Sequence, residues 1–222
     1  MVEVSIRNIE RLKGMPRVDF DFGVSAELKH TFTAVANAIF TQRSARARFR
    51  STGSQDFRGH FADLFTRNGR TQLADLDEIV SNLRLVVRQV GELEEEARAE
   101  NKRRAVARDW ARRMAARNDF QKFFDDLFDW DDPPNVTLTD SLPPKAVTAA
   151  PPRPRQTPTS GGGGASGASS ARPEALVRFA ADTRAADEHL AGKPASLSEH
   201  CRRYASRCKW ARLDASSVSA GL

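Results

Sequence analysis

The sequence predicts an all-α fold, in which a long antiparallel helical hairpin and a second, short helical module are joined by a disordered linker. Three observations lead to this prediction. Apolar residues recur at helical spacing in two long stretches, proline and glycine are concentrated between residues 133 and 173, and helical spacing returns from Glu174. The predicted domains are residues 1–132, 133–173 and 174–222.

The composition is typical of exposed helices that bury narrow apolar stripes. Hydrophobic residues make up 40% of the 222-residue chain and charged residues 29%, and the mean hydropathy is -0.54. These values are low for a compact globule. The second helical segment has only about 50 residues, a size at which a hydrophobic core alone rarely suffices. We therefore expect it to need a partner or more chain.

The first long helix is predicted from Val24 to about Arg48. The apolar residues of its stripe are Val24, Leu28, Phe32, Val35 and Ile39, with Ala36 and Phe40 flanking them. The sequence Ser51-Thr52-Gly53-Ser54 then supplies turn and capping residues. We expect residues 1–23 to form a short extended arm or a packed lead-in.

A second and longer helix is predicted from Phe57 to about Ala97, with a bend near Gly69. Its apolar residues approach a heptad repeat, and they are Phe57, Phe61, Leu64, Phe65, Leu76, Ile79, Val80, Leu83, Val86, Val87, Val90, Leu93 and Ala97. Two amphipathic helices joined by a short turn can bury these stripes only against each other, which predicts an antiparallel hairpin.

An aromatic residue and a glycine lie at the predicted turn. Phe57-Arg58-Gly59 begins the long helix, and Phe65 follows in the same helix. Glycine would let the neighbouring helix approach closely, while the aromatic ring would close the end of the apolar seam. This arrangement resembles the WXG-motif family of small helical hairpins exported by type VII secretion systems, with Phe57 in place of the tryptophan. The resemblance covers roughly residues 20–100.

A looser resemblance to actinobacterial members of that family lies near the C-terminus. Trp210 takes the aromatic position there, and Arg212 stands where the family has glycine. The resemblance implies that residues 174–210 supply the first helix of an incomplete second hairpin. Tandem hairpins of this kind are similar to the N-terminal delivery regions of large secreted toxins. The family's Tyr-x-x-x-acid export signal has no match, because Tyr204 is followed four residues on by Cys208.

An aromatic cluster at the end of the first domain is the predicted partner-binding surface. It lies among aspartates and ends at Pro133-Pro134. Its members are Trp110, Phe120, Phe123, Phe124, Phe128 and Trp130. So much apolar area on one face predicts either folding back onto the hairpin or docking on a protein partner, and we expect docking.

Basic and acidic residues are grouped in separate blocks along the chain. The net charge is +6 and the pI about 9.8, and the most basic stretch is residues 98–117. The basic patch within it consists of Arg103, Arg104, Arg108, Arg112 and Arg113. Because an acidic block follows within a Debye length, we interpret this stretch as a solvated helix face.

No constellation of residues predicts catalysis, a cofactor or a metal site. The four histidines are scattered and none belongs to a recognisable nucleophile motif. Cys201 and Cys208, seven residues apart on one helix, would lie roughly 10 Å apart, too far for a disulfide. The aspartates at 125–132 lack the spacing of an EF-hand, and Gly161–Gly164 lacks the lysine of a phosphate-binding loop. We also expect neither a signal peptide nor a transmembrane helix.

The leading functional hypothesis is a non-enzymatic type VII secretion-associated protein, or the N-terminal targeting region of a secreted effector. It would act by helix-mediated binding to a hairpin homologue, a chaperone or the secretion machinery, alone or as a homo- or heterodimer. Its expected location is outside the cell or on its surface, by a route independent of a signal peptide, and otherwise the cytoplasm. The alternative is a basic helical protein that binds nucleic acid or an anionic membrane surface, which a steep loss of affinity with salt would support. A third hypothesis is a cytoplasmic coiled-coil scaffold that self-associates through Leu76–Leu93.

Overall fold

The computed structural model describes residues 6–116, 170–211 and 213 of the chain. Within these residues the predicted all-α fold is confirmed. The helices are α1 (Ile6–Lys13), α2 (Phe22–Gly53), α3 (His60–Ala116), α4 (Pro173–Leu190) and α5 (Lys193–Arg207). Residues 117–169, which hold most of the predicted linker and every member of the aromatic cluster except Trp110, lie outside the described residues.

Helix α2 begins at an N-cap and runs past its predicted end. The Asp21 carboxylate accepts the backbone N–H groups of Gly23 and Val24 at 3.0 and 3.1 Å, which satisfies two donors of the first turn. The predicted end near Arg48 is wrong by about one turn, because the helix continues to Gly53 and the backbone N–H of Ser54 still donates to the carbonyl of Arg50.

Helix α3 has 57 residues and is therefore about 85 Å long. It is continuous through Gly69, where the sequence predicted a bend, and it extends well beyond Ala97. Gly69 makes room for a neighbour, because a Cβ atom there would overlap the side chain of Arg50 on α2. The glycine is therefore explained by packing rather than by a break in the helix.

Helices α2 and α3 form the predicted antiparallel hairpin. The contacts that join them advance along α2 as they retreat along α3, and they pair Phe22 with Arg98, Lys29 with Glu94, Arg43 with Asp77, and Arg50 with Gly69. The apolar side chains between these contacts, among them Phe32 and Val90 at 0% exposure, form the main core.

Residues 6–21 continue the same antiparallel register along the far end of α3. Of the two predicted alternatives for residues 1–23, an extended arm or a packed lead-in, the described part agrees with the second, because residues 6–13 form α1 and pack on α3. The side chain of Leu12 packs in a small buried cluster with Ala107, Trp110 and Ala111 of α3. Beyond α1, the carbonyls of Met15 and Pro16 accept hydrogen bonds from arginines of α3, and the Val18 N–H donates to the side chain of Asn101 at 2.9 Å.

The C-terminal helices pack along α2, antiparallel to it. Successive contacts pair Phe179 with Gly53, Asp187 with Arg46, Arg203 with Glu27, and Trp210 with Asp19. The side chains of Leu197, Cys201, Tyr204 and Cys208 are at most 1% exposed and belong to the same core as Phe32. The picture of a separate second module with the first half of an incomplete hairpin is therefore corrected. The segment packs on α2 of the same chain.

The C-terminal helical segment begins before the predicted domain boundary at residue 173. The backbone of Ser170 pairs with that of Arg58, and Pro173 begins α4 at a position where its missing N–H costs no hydrogen bond. Residues 170–173 therefore belong to the helical segment rather than to the linker.

A core substitution tests whether the C-terminal helices share one core with the hairpin. We expect Leu197→Ala on α5 to lower the free energy of unfolding by about 2–5 kcal/mol, because it removes a buried side chain. Unfolding by urea, followed by circular dichroism, should remain a single transition with a lower midpoint. The control is Val177→Ala on α4, where the side chain is 69% exposed and the change should stay within about 0.5 kcal/mol. If the hairpin of Leu197→Ala still unfolded at the urea midpoint of the wild-type chain, that result would contradict a shared core.

Candidate functional site

The turn between α2 and α3 takes its shape from two residues with positive φ. Asp56 has φ of 57° and Gly59 has φ of 87°. Aspartate tolerates the left-handed region, whereas the more extreme angle strongly favours glycine because there is no Cβ to clash with the backbone. Gly59 is thus required by the backbone conformation that directs the chain into α3 at His60.

The aromatic rings near the turn pack in a row. The ring centroids of Phe57 and Phe65 are 5.7 Å apart, and those of Phe65 and Phe179 are 4.9 Å apart. A Cβ atom at Gly53 would lie 3.1 Å from atoms of both Phe65 and Phe179. The close approach that sequence reasoning assigned to Gly59 is therefore made at Gly53, the last residue of α2.

The turn is covered by the start of the C-terminal segment. The Arg58 N–H donates to the Ser170 carbonyl at 2.8 Å, and the reciprocal hydrogen bond is 3.3 Å long. Arg172 and Asp56 form an exposed ion pair at 2.6 Å. These contacts connect the turn motif to the residues that lead into α4, while Arg58 and Gly59 themselves stay exposed.

Trp210 does not join the other residues predicted for the turn motif. Its backbone N–H donates to the carbonyl of Asp19 at 3.1 Å, and its ring meets that of Phe20 edge-on with centroids 6.5 Å apart. This contact lies at the start of α2, whereas Phe57 follows the end of α2. The structure gives Trp210 a role in closing the bundle at that end.

Trp110 is buried and not available as a docking residue. Its side chain is 3% exposed and packs with Leu12 and Ala107, so α1 provides the cover that the prediction assigned to a partner. The prediction that Trp110 docks on a partner is wrong here, because residues 6–13 were not predicted to form a helix that packs against it. Phe120, Phe123, Phe124, Phe128 and Trp130 lie outside the described residues.

Several arginines of the predicted basic patch bind groups within the chain. Arg103 and Arg104 both donate to the carboxylate of Glu100 at 2.7 Å, and the hydrogen bond from Arg103, with further help from Arg104, lowers the pKa of Glu100. Arg104 and Arg108 also donate to the carbonyls of Pro16 and Met15.

The rest of the patch is exposed. Arg112 lies 3.7 Å from Asp109, and the side chain of Arg113 is exposed. The patch therefore divides into arginines that brace the N-terminal arm and arginines that face solvent.

The cysteines are buried, free thiols. Burial raises the pKa of Cys201 to about 11 and that of Cys208 to about 11, and it raises the pKa of Tyr204 between them. At neutral pH both sulfurs stay protonated and are weak nucleophiles, so their role is packing. In the part of the chain that the structure describes, no group of three His, Cys, Asp or Glu side chains is arranged to hold a metal ion.

An exposed groove between α2 and α3 was not identified from the sequence as a site. Phe40 is 50% exposed and the guanidinium of Arg84 stacks over its ring at 5.7 Å. One turn along α2, Arg43 makes a bidentate pair with Asp77 at 2.6 and 2.9 Å. We call these residues, Phe40, Arg43, Asp77 and Arg84, the outer groove. The only sequence signal was that Phe40 lies beside the buried stripe of α2 rather than on it.

Comparison with protein-family models, with curated proteins and with solved structures found no match to this chain. Of the helices described, none combines the length and the apolar character needed to cross a membrane.

Substitution of Gly59 tests whether the turn depends on its backbone conformation. We expect Gly59→Ala to lower the free energy of unfolding by about 1–2 kcal/mol, because alanine is strained at a positive φ. The control is Gly91→Ala in the middle of α3, where a Cβ atom meets nothing within 4 Å. This change should raise stability by about 0.5–1 kcal/mol through helix propensity. Thermal midpoints that move in the same direction for both variants would contradict the assignment.

Proposed function

We propose that this protein acts by helix-mediated protein binding, as a type VII secretion-associated protein or as the N-terminal targeting region of a secreted effector. The observation that supports this best is the long antiparallel hairpin with an aromatic-x-Gly turn at Phe57-Arg58-Gly59. The tilted rings of Phe65 and Phe57 pack against each other beside this turn. A braced rod of this kind presents side chains at fixed positions, which suits recognition by another helical protein. In this proposal the protein carries no catalytic site.

The outer groove is the surface that we assign to the partner. Phe40 offers an exposed aromatic ring and Arg84 a planar cation, which are the side-chain types most enriched at binding hot spots. The groove lies between two long helices, so a partner helix could lie along it and cover Phe40. The pair of Arg43 and Asp77 would give such a partner charged groups at the edge of the groove.

The arginines of α3 support protein binding over the nucleic-acid alternative. Arg103 and Arg104 share the carboxylate of Glu100, and Arg108 donates to a backbone carbonyl of the N-terminal arm. Phosphate binding would have to compete with these contacts. The apolar seam of the third hypothesis is also occupied, because Leu83, Val86, Val90 and Leu93 are buried in the core. Self-association through it would require the bundle to open.

An export assay tests the proposed function. The tagged full chain would be expressed in an actinobacterial host with an active type VII system and in an otherwise identical strain whose export ATPase is inactivated. We expect the protein in the culture filtrate of the first strain only, with a cytoplasmic marker absent from both filtrates. Equal amounts in the two filtrates would contradict a secretion role.

Two variants in the same assay test the surface. Phe40→Ala should reduce export and capture by the machinery with little change in the thermal midpoint, because the ring is half exposed. Val177→Ala, an exposed apolar residue on α4, should leave both unchanged. Normal export of Phe40→Ala would show that the outer groove is not the binding surface.

A further inference from the structure

A polar layer interrupts the bundle between the main core and the aromatic rings at the turn. It is formed by Arg46 and Arg50 of α2 and by Thr183 and Asp187 of α4. Within each helix the two residues are four positions apart, so their side chains share one face. Arg46 is only 5% exposed and donates from Nη2 to the carboxylate of Asp187.

Three buried polar atoms of this layer have no hydrogen-bond partner among the described residues. They are Nε of Arg46, Nη1 of Arg50 and Oγ1 of Thr183. Buried donors are normally paired, and an unpaired guanidinium N–H is especially costly because the group is charged. The carboxylate of Asp187 pairs with Arg46, and the side chain of Asp187 is 66% exposed and therefore largely hydrated.

Packing holds the second arginine in the layer. The aliphatic part of Arg50 lies against Gly69 of α3, where a larger residue would overlap it. Because Asp187 contacts Arg46 and Phe179 contacts Gly53, the antiparallel register of α2 and α4 places Thr183 opposite Arg50. Two fixed guanidinium groups beside a hydroxyl form the donor set that proteins use for tetrahedral oxyanions.

We propose that this layer binds an oxyanion of the phosphate type. The oxygens of the anion accept hydrogen bonds from Nε of Arg46, Nη1 of Arg50 and the hydroxyl of Thr183. The exposed carboxylate of Asp187 marks the side on which the layer reaches solvent and by which the anion enters. Asp187 also competes with the anion for Arg46, because both groups are negatively charged.

This competition gives a specific test with inorganic phosphate. Asp187→Asn removes the competing charge, so the full-length variant should bind phosphate about fivefold more tightly than the wild-type chain. Its thermal midpoint should be lower than that of the wild type without phosphate, and millimolar phosphate at constant ionic strength should recover most of the loss. The matched control is Asp77→Asn on α3. It breaks an exposed ion pair with Arg43, which lies on α2 as Arg46 does. Phosphate should not rescue this variant. Equal rescue of the two variants would overturn the proposal, because it would reveal only a general effect of phosphate on folding.

Nitrogen-15 NMR of the arginine side chains supplies a readout that does not depend on stability. Phosphate should shift the Nε–H signal of Arg46 and slow its exchange with water in the wild-type chain, and Arg50→Gln should weaken that response. No change in the Arg46 signal up to high phosphate would also overturn the proposal, and the buried donors would then be paired with water. A parallel titration with O-phosphoserine separates the sources. A response to both probes identifies the phosphate group of an ester as the ligand, whereas a response to inorganic phosphate alone identifies the free ion.

Discussion

The described structure depends on α2 burying two of its sides at once. One side packs against α3 and the other against α4 and α5, and the side chains between them include Leu28 and Phe32, at most 1% exposed. A hairpin of two helices leaves part of each apolar stripe in water, and a third helical arm covers that part. Tyr204 of α5 is fully buried in the same core, and its ring meets that of Phe20, just before α2, edge-on with centroids 6.0 Å apart.

Charged groups inside this arrangement fix its register. Glu94 is buried on α3 and accepts a hydrogen bond from Lys29 of α2 at 2.8 Å. A shift of the two helices by one position would leave that carboxylate buried without its partner, which is far less favourable than moving an exposed pair. Arg46 and Asp187 play the same part between α2 and α4. Apolar burial therefore drives the association of the helices, while the buried charges select one alignment.

Much of the fold could be predicted from the sequence because the stripes of α2 and α3 are strongly periodic. Residues such as Leu28, Phe32 and Val90 were assigned to the apolar seams and lie in the core. Helix α1 was not predicted because Ile6–Lys13 is short and charged, and its apolar side chains are buried only by packing against α3 near Trp110. Packing of α4 and α5 on α2 joins residues far apart in sequence, and helical periodicity carries no information about such pairs.

The candidate site was harder to predict than the fold. An aromatic-x-Gly motif locates the turn, but only the three-dimensional structure distinguishes Gly59, which has a positive φ, from Gly53, which allows Phe65 and Phe179 to approach. Arg46 and Arg50 look like ordinary surface residues of a basic helix end in the sequence. The burial of Arg46 follows from the position of α4, and Arg50 lies against Gly69 of α3; no local pattern specifies either contact. Phe40 likewise becomes notable only because Arg84 of the other helix stacks over it.

Native-state hydrogen exchange on the full chain tests the shared core most directly. If one core joins the three arms, the amides of Cys201 and Tyr204 in α5 should open with the same free energy as those of Phe32 in α2 and Val90 in α3. Low concentrations of denaturant should also lower the opening free energies of all these amides equally. Amides of α5 that exchange orders of magnitude faster, while α2 and α3 keep their protection, would contradict this account.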